Sequence, residues 1–101
     1  MTAEEDVFDA LKYNVTCDEF GTRVYCNDAG RLHRENGPAY STQDQDGYLY
    51  QAWYDNGNRH RIGGPAVIRR DGPSSWFLNG VQYTEREYNS IVAQLGTAND
   101  Q

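Results

Sequence analysis

The side chains with the clearest acid–base potential are two histidines, His33 and His60, in a chain of 101 residues. A pair of imidazoles can act as general acid and general base, as in a metal-free ribonuclease. Each histidine, however, stands in the same local setting, followed by an arginine and then by a Gly-Pro-Ala triplet. A sequence position that recurs in this way favours a structural role over a catalytic one. In that role the imidazole and the guanidinium would support the Gly-Pro corner and stack on aromatic rings. A small His-dependent hydrolase or nuclease stays open as an alternative.

Other arrangements that could carry chemistry are weak. No Ser-His-Asp order, phosphate-binding loop or zinc-protease motif occurs, and the run from Asp44 to Gly47 lacks the Gly and Glu spacing of a calcium loop. Cys17 and Cys26 do not have zinc-site spacing. We therefore predict no enzyme activity, no cofactor and no metal. The two cysteines are expected to be free thiols, although a hairpin turning at 20–23 would place them opposite each other for a disulfide.

The charge of the chain is −6 and unevenly distributed. Residues 1–30 hold seven acidic side chains against two basic ones, whereas residues 31–70 hold six arginines against four acids. This field argues against direct nucleic-acid binding and suits a basic protein partner or solubility alone. No apolar run is long enough for a membrane span, and the acidic start has no export-signal pattern, so we predict a cytoplasmic protein without membrane contact.

Four arginines, Arg59, Arg61, Arg69 and Arg70, form a second candidate cluster that could meet a phosphate or an acidic partner. On a strand, alternate side chains share a face, so Arg59 and Arg61 would lie together while Arg69 and Arg70 would point oppositely. Only part of the cluster can form one patch. The alternative is that these arginines form ion pairs with the acidic ends of the chain.

The chain contains an internal repeat. Residues 30–39 return as residues 57–66, with Gly, His, Arg, Gly, Pro and Ala recurring at an offset of 27, and residues 53–57 return as 76–80 at an offset of 23. We predict a unit of about 23 residues, with a short insertion near Thr42–Asp46 and a degenerate last copy after Gly80. The residues that we assign to structural positions of this repeat are His33, Arg34, Gly37, Pro38, Trp53, Tyr54, His60, Arg61, Gly64, Pro65, Trp76 and Phe77.

Residues typical of turns and of helix caps predict where the strands and helices begin and end. Asn-Gly, and by the same reasoning Asp-Gly, favours tight hairpin turns, while Gly-Pro makes a rigid corner. Capping boxes at Thr2 and Thr84 predict helices over 3–12 and 85–95, with Gly96 as a stop. The predicted fold is α+β and mainly β: one domain over 1–101, in which an antiparallel meander of short strands is flanked by two helices. Its parts are a helix (1–12), a hairpin (13–26), a repeat sheet (27–83), a capping helix (84–96) and a tail (97–101).

The His-Arg-x-x-Gly-Pro-Ala and Trp-aromatic-x-Asn-Gly motifs resemble the MORN-like repeats of small phage-encoded and giant-virus proteins. The resemblance covers about residues 25–83, and the Thr-x-x-Glu helix that follows also fits the way such proteins end. It implies an antiparallel repeat sheet and no defined activity. The segment Tyr40–Tyr48 departs from the pattern, and residues 1–24 are outside it.

These observations favour a small non-enzymatic protein of a bacteriophage or mobile element that binds and inhibits a host protein, with a defence system such as CRISPR or restriction as the expected target. Aromatic, arginine-rich surfaces are typical of protein interfaces. A self-associating structural protein is the alternative, and homodimerisation is left open. The predicted partner-binding residues are Glu4, Glu5, Asp6, Asp9, Asp18, Glu19, Tyr40, Tyr48 and Tyr50.

Overall fold

The computed structural model describes residues 11–99, and the side chains of residues 11–95. Nine short strands precede one helix: β1 (Asn14–Cys17), β2 (Arg23–Cys26), β3 (Tyr40–Asp44), β4 (Gly47–Ala52), β5 (Tyr54–Asp55), β6 (Asn58–Arg59), β7 (Val67–Arg69), β8 (Trp76–Leu78), β9 (Val81–Tyr83) and α1 (Glu85–Asn99). The predicted antiparallel, mainly β fold with a C-terminal helix is confirmed. The helix predicted over 3–12 lies outside the described residues, apart from Leu11 and Lys12, which are helical.

The strands form three sheets rather than one continuous meander. Five strands pair antiparallel in the order β1-β2-β3-β4-β7, while β5-β6 and β8-β9 are separate two-stranded hairpins. Each small hairpin closes on an Asn-Gly turn in which both residues have positive φ, 50° and 91° at Asn56-Gly57 and 51° and 86° at Asn79-Gly80. This geometry matches the twist of tight two-residue hairpins and confirms the Asn-Gly prediction.

The two Asp-Gly pairs behave differently from the prediction. Asp44 pairs with Gly47, so the β3–β4 turn is formed by Gln45 and Asp46, and Gly47 is already the first residue of β4. Asp71-Gly72 makes no hairpin turn; it lies in a wider loop between Val67 and Ser75, which form a backbone bridge. The guanidinium of Arg69 spans this loop by donating to the carbonyl of Pro73 at 3.2 Å, a local contact that a two-residue turn would exclude.

The register of the first hairpin separates the two cysteines. Cys17 pairs with Arg23 and Cys26 pairs with Asn14, because the turn occupies Asp18–Thr22 rather than being centred between the cysteines. They therefore stand three residues, about 10 Å, apart along the strands. A disulfide needs Cα atoms no more than about 7 Å apart. The cross-strand disulfide is ruled out for this register, and both cysteines are free thiols.

The helix α1 begins with the predicted capping box. The backbone N–H of Thr84 donates to Glu87 Oε1 at 2.9 Å, and the N–H of Glu87 donates to Thr84 Oγ1 at 3.1 Å. The predicted stop at Gly96 is wrong, because the helix continues to Asn99. A glycine costs only about 1 kcal/mol in a helix interior, so by itself it does not end one.

The core is thin and divided into two clusters of buried residues. One contains Ala52, Ala66, Val67 and Phe77, and the other contains Tyr13, Tyr25 and Ala39. Tyr54 packs against both clusters and joins them. Within residues 11–99, no helix combines the length and the hydropathy that crossing a bilayer requires.

Candidate functional site

Both histidines bind backbone rather than facing a reaction centre. His33 Nδ1 accepts the N–H of Asn56 at 2.9 Å, and His60 Nδ1 accepts the N–H of Asn79 at 3.0 Å. Each imidazole thus holds an Asn-Gly turn further along the chain, His33 that of β5–β6 and His60 that of β8–β9. A neutral imidazole that accepts at Nδ1 carries its proton on Nε2. Neither Nδ1 is available as a general base while this bond is in place.

The two arginines that follow the histidines are also used within the fold. The guanidinium of Arg34 lies 3.9 Å above the ring of Tyr25, and that of Arg61 lies 3.8 Å above Trp53. Each donates from Nη1 to the carbonyl four residues later, Pro38 at 3.2 Å and Pro65 at 3.1 Å. Burial lowers the pKa of Arg61 from its ordinary value. These contacts close each His-Arg-x-x-Gly-Pro segment into a compact loop.

Glycine leaves room for the guanidinium group inside each loop. A Cβ atom on Gly37 would stand 2.8 Å from Arg34 Nη1, and one on Gly64 would stand 2.9 Å from Arg61 Nη1. Any larger residue would therefore displace the guanidinium from its aromatic ring and from its proline carbonyl. The spacing Arg-x-x-Gly-Pro is explained by this packing.

The helix α1 packs against β8, which contains the last aromatic pair, Trp76 and Phe77. Trp76 lies 6.5 Å from the ring of Tyr88, and Phe77 is buried beneath the guanidinium of Arg59 at 5.4 Å. The Tyr88 hydroxyl accepts the N–H groups of Gly63 and Gly64 at 3.0 and 3.3 Å and donates to the carbonyl of Arg61 at 2.6 Å. Tyr88 thereby anchors α1 on the second loop.

A cleft of about 700 Å³ lies between the two loops and is lined by both histidines, with Trp53, Tyr54 and Asp55. Asp55 Oδ1 lies 3.2 Å from His33 Nδ1. Across the described part of the chain, no three His, Cys, Asp or Glu side chains are grouped as metal ligands would be. The cleft residues are held by hydrogen bonds and stacking within the fold, an arrangement that stabilises the loops.

The predicted arginine cluster does not form one patch. Arg59 donates from Nε to the Tyr54 hydroxyl at 3.3 Å, and this bond raises the pKa of Arg59 above its ordinary value. Arg61 stacks on Trp53, Arg69 lies 5.6 Å above the Tyr50 ring, and Arg70 binds Asp44. The arginines are therefore distributed over separate aromatic and acidic partners.

A different surface presents exposed side chains: the end of the five-stranded sheet that contains the β1–β2 turn (18–22) and the tip of the β3–β4 hairpin (44–48). We call these two segments the hairpin end. They lie at the same end of the sheet because β2 pairs with β3, and a Cβ atom on Gly21 would stand 3.0 Å from Gln43 Cγ in β3. Phe20 is 76% exposed and Tyr48 is 51% exposed. The hairpin end therefore presents one exposed aromatic side chain from each of its two segments.

The first turn of the hairpin end is rigidly built. Asp18 Oδ1 accepts the N–H groups of Phe20 and Thr22, each at 2.9 Å, and Gly21 adopts a φ of 85°. Side-chain caps of this kind hold a turn in one backbone conformation. Phe20 is therefore presented to solvent by an ordered backbone.

Acidic side chains surround these apolar ones. Asp18, Glu19 and Asp46 are exposed on the two turns, and neither turn contains a basic residue. Of the predicted partner-binding residues, Asp18, Glu19 and Tyr48 belong to the hairpin end and are exposed. Tyr40 and Tyr50, which we expected to be exposed, are half-buried, stack edge to face with centroids 5.8 Å apart, and pack against the core. The remaining predicted acids, Glu4, Glu5, Asp6 and Asp9, lie outside the described residues.

Sequence reasoning missed Phe20. Its signal was present, because an aromatic residue between an aspartate and a glycine within a turn is positioned where burial is difficult. The expectation that large apolar residues enter the core concealed it. Only the register that places both turns at one end of the sheet distinguishes Phe20 from an isolated surface residue.

At the root of the second turn, Asp44 forms a two-bond ion pair with Arg70, at 2.6 and 3.1 Å. Bonds from Arg70 and from the N–H of Asp46 lower the pKa of Asp44 from 3.8 to about 2. A carboxylate with a depressed pKa stabilises the fold above its ordinary pKa, and this contribution is lost as the pH falls towards 2. The pair therefore steadies the β3–β4 turn at neutral pH.

We expect the Arg70→Gln variant to return the pKa of Asp44 towards 3.8, because the main stabilising donor is gone. Carboxyl ¹³C shifts of Asp44, followed by NMR from pH 6 to pH 2, measure the change. The Arg31→Gln variant, which removes an exposed arginine bonded elsewhere, should leave the titration as in the parent protein. An unchanged Asp44 titration in Arg70→Gln would contradict the ion pair.

Comparisons of the chain with protein-family models, with curated proteins and with solved structures find no match.

Proposed function

We propose that this protein is a small, non-enzymatic binding protein that attaches its hairpin end to a basic surface of a host protein and thereby inhibits that protein. The observation that carries the proposal is the composition of the hairpin end: Phe20 and Tyr48 exposed among Asp18, Glu19 and Asp46, with no basic residue in either turn. Following the motif resemblance, we further propose a bacteriophage or mobile-element origin and a defence system, such as CRISPR or restriction, as the target.

The physical basis is a combination of an apolar anchor with a charged rim. Interfaces draw most of their affinity from a few large side chains that enter pockets of the partner, surrounded by residues that exclude water. Phe20 serves as this anchor, and the Asp18 cap keeps its turn ordered before binding, which reduces the entropy lost on association. The acidic rim attracts a partner pocket bordered by lysine or arginine and accelerates the encounter.

We also propose that the β structure is built from repeats of about 23 residues of the MORN-like type. Equivalent contacts at an offset of 27 residues support this proposal: the bonds from His33 and His60, and the stacked guanidinium groups of Arg34 and Arg61. In this interpretation Tyr88 closes the array at its C-terminal side. Catalysis by the two histidines is not favoured, since each Nδ1 already accepts a backbone N–H.

The test starts with site-specific photo-crosslinking in bacterial cells, with benzoylphenylalanine placed at position 20 and, as a control, at exposed position 89 of α1. We expect one host protein to be crosslinked from position 20 and not from position 89. The purified partner is then titrated with the parent protein and with its variants by calorimetry. Phe20→Ala should weaken binding about 10- to 100-fold, as expected for loss of an anchor.

The electrostatic part is tested with the Asp18→Asn/Glu19→Gln double variant, in which the asparagine preserves the turn cap. We expect weaker binding at low salt and a smaller salt dependence than in the parent protein. Asp28→Asn/Glu85→Gln, the matched control, removes two exposed acids away from the hairpin end, the second on the helix that packs against β8 and β9, and should bind like the parent protein. Parent-like affinity in both Phe20→Ala and the charge variant would refute the proposal.

Self-association is the second candidate, because β1 is an edge strand of the five-stranded sheet. Unpaired backbone groups on an edge can pair with another copy of the chain. Light scattering at increasing concentration distinguishes the two candidates: a constant monomeric mass excludes self-association, and a rise to twice that mass supports it.

A further inference from the structure

His33 and His60 occupy equivalent positions but differ in one neighbour. In both, Nδ1 accepts the N–H of the asparagine in the following turn. Next to His33, Asp55 Oδ1 lies only 3.2 Å from the same Nδ1 atom. At the equivalent place before Asn79, the chain has Leu78, which is buried and carries no charge. His33 therefore has a carboxylate next to its Nδ1 atom, whereas the equivalent position beside His60 is occupied by an apolar side chain.

This difference decides what each ring can do when it gains a proton from solvent. A protonated imidazole has a donor on both nitrogens and no acceptor, so it can no longer bind a backbone N–H through Nδ1. For His33, the new Nδ1–H faces Asp55 and can donate to its carboxylate. For His60, the bond to Asn79 would be lost, and Leu78, the residue before that asparagine, offers no carboxylate in its place.

We propose that His33 is a pH-operated switch that exchanges the N–H of Asn56 for the carboxylate of Asp55. Above neutral pH, the ring holds the β5–β6 turn through Asn56. In acid, the proton on Nδ1 binds Asp55, and Asn56 loses its acceptor. The inference goes beyond binding at the hairpin end and does not depend on it.

Histidine suits this role because it is the side chain whose charge ordinarily changes between pH 5 and 8. The ring is 21% exposed, so solvent protons reach it, while the edge of Tyr13 packs on it with centroids 6.0 Å apart. The charged and titratable groups around the switch, from its own loop and from the elements packed against it, are Lys12, Tyr13, Arg31, Arg34, Glu35 and Asp55. Lys12 is paired with Glu35 at 2.7 Å, which leaves Asp55 as the carboxylate in contact with Nδ1.

The element released is the β5–β6 turn at the side of the cleft between the two loops. With Asn56 freed, the turn keeps the bond from the Gly57 N–H to the Leu32 carbonyl at 2.7 Å and the Asn27 amide contact to Asn56 Oδ1 at 2.9 Å. We therefore expect local loosening around Asn56 and Asp55 rather than global unfolding. Because Asp55 and His33 both line the cleft, the exchange changes its charge and its hydrogen-bonding groups.

The test is NMR of the full ¹⁵N-labelled chain from pH 8 to pH 5. At pH 8 the ring nitrogens of His33 should report a proton on Nε2 only. On acidification, His33 Nδ1 should gain its proton while the Asn56 amide resonance moves. Hydrogen exchange at Asn56, corrected for its intrinsic pH dependence, should become about five- to tenfold faster, the equivalent of one ordinary hydrogen bond.

The Asp55→Asn variant should move this transition to lower pH, because the charge that favours the protonated ring is absent. The control, Asp46→Asn, makes the same change of charge at the hairpin end and should leave the transition in place. An Asn56 amide whose shift and exchange stay constant while His33 titrates would overturn the proposal. Equal displacement of the transition in Asp55→Asn and Asp46→Asn would overturn it as well, because it would indicate a general charge effect.

Discussion

Replacing Tyr88 by phenylalanine should lower the free energy of unfolding by about 2–3 kcal/mol, although only one oxygen atom is removed. That hydroxyl serves three backbone groups: it accepts from Gly63 and Gly64 and donates to the carbonyl of Arg61. Tyr88 is 2% exposed, so water cannot readily take its place. Unpaired buried polar groups cost more than the net gain of the bond that satisfied them.

The melting temperature of the Tyr88→Phe variant should fall by about 10–20 °C relative to the parent protein, as expected for a domain of this size. Tyr88→Ala adds a cavity under α1 and should cost about 3–5 kcal/mol, a large fraction of the stability of a small domain. The matched control is Tyr83→Phe, because the Tyr83 hydroxyl has no hydrogen bond to the described residues; we expect a change within about 0.5 kcal/mol. Equal melting temperatures for Tyr88→Phe and Tyr83→Phe would show that the hydroxyl does not hold the second loop.

Tyr25→Ala should destabilise the protein by about 3–5 kcal/mol, the usual cost of deleting a buried aromatic ring. Tyr25 is 2% exposed, lies beneath the guanidinium of Arg34 at 3.9 Å, and contacts the edge of Tyr13 with centroids 6.1 Å apart. Without the ring, the second core cluster loses one of its two tyrosines and Arg34 loses the surface on which it stacks.

Urea denaturation measures this effect as a lower midpoint with an unchanged slope. The control is Tyr25→Phe, which retains the ring and its cation–π contact and should lie within about 1 kcal/mol of the parent protein. A Tyr25→Ala variant as stable as Tyr25→Phe would mean that the stacking of Arg34 contributes little to the fold.

The features that could be predicted from sequence are those formed by neighbouring residues. The Asn56-Gly57 and Asn79-Gly80 turns and the Thr84–Glu87 capping box follow from residues within four positions of one another. Their energetics are local, so residue type and spacing suffice to predict them. Even here the local rule has limits: Gly96 permits a helix end without requiring one, and α1 continues through it.

The candidate site depended on contacts between distant residues. The sequence pointed to Asp18, Glu19 and Tyr48 one at a time, and it wrongly added Tyr40 and Tyr50 as exposed, because a strand pattern alone does not say which face the core covers. Strand register places Gly21 beside Gln43, and with it the β1–β2 turn and the tip of the β3–β4 hairpin at one end of the sheet.

By itself, the amino-acid sequence determined the two Asn-Gly turns, the helix cap and the bond from Arg34 and Arg61 to the carbonyl of the proline four residues later, since each is stabilised by bonds within a few residues. The tertiary structure decided which side chains remain exposed at the hairpin end and which neighbour each histidine meets, Asp55 for one and Leu78 for the other. Which of these side chains are exposed, and which residues they contact, depends on how the strands pair and which faces of the sheet are covered. Local sequence preferences do not settle this, because many strand pairings are compatible with the same preferences.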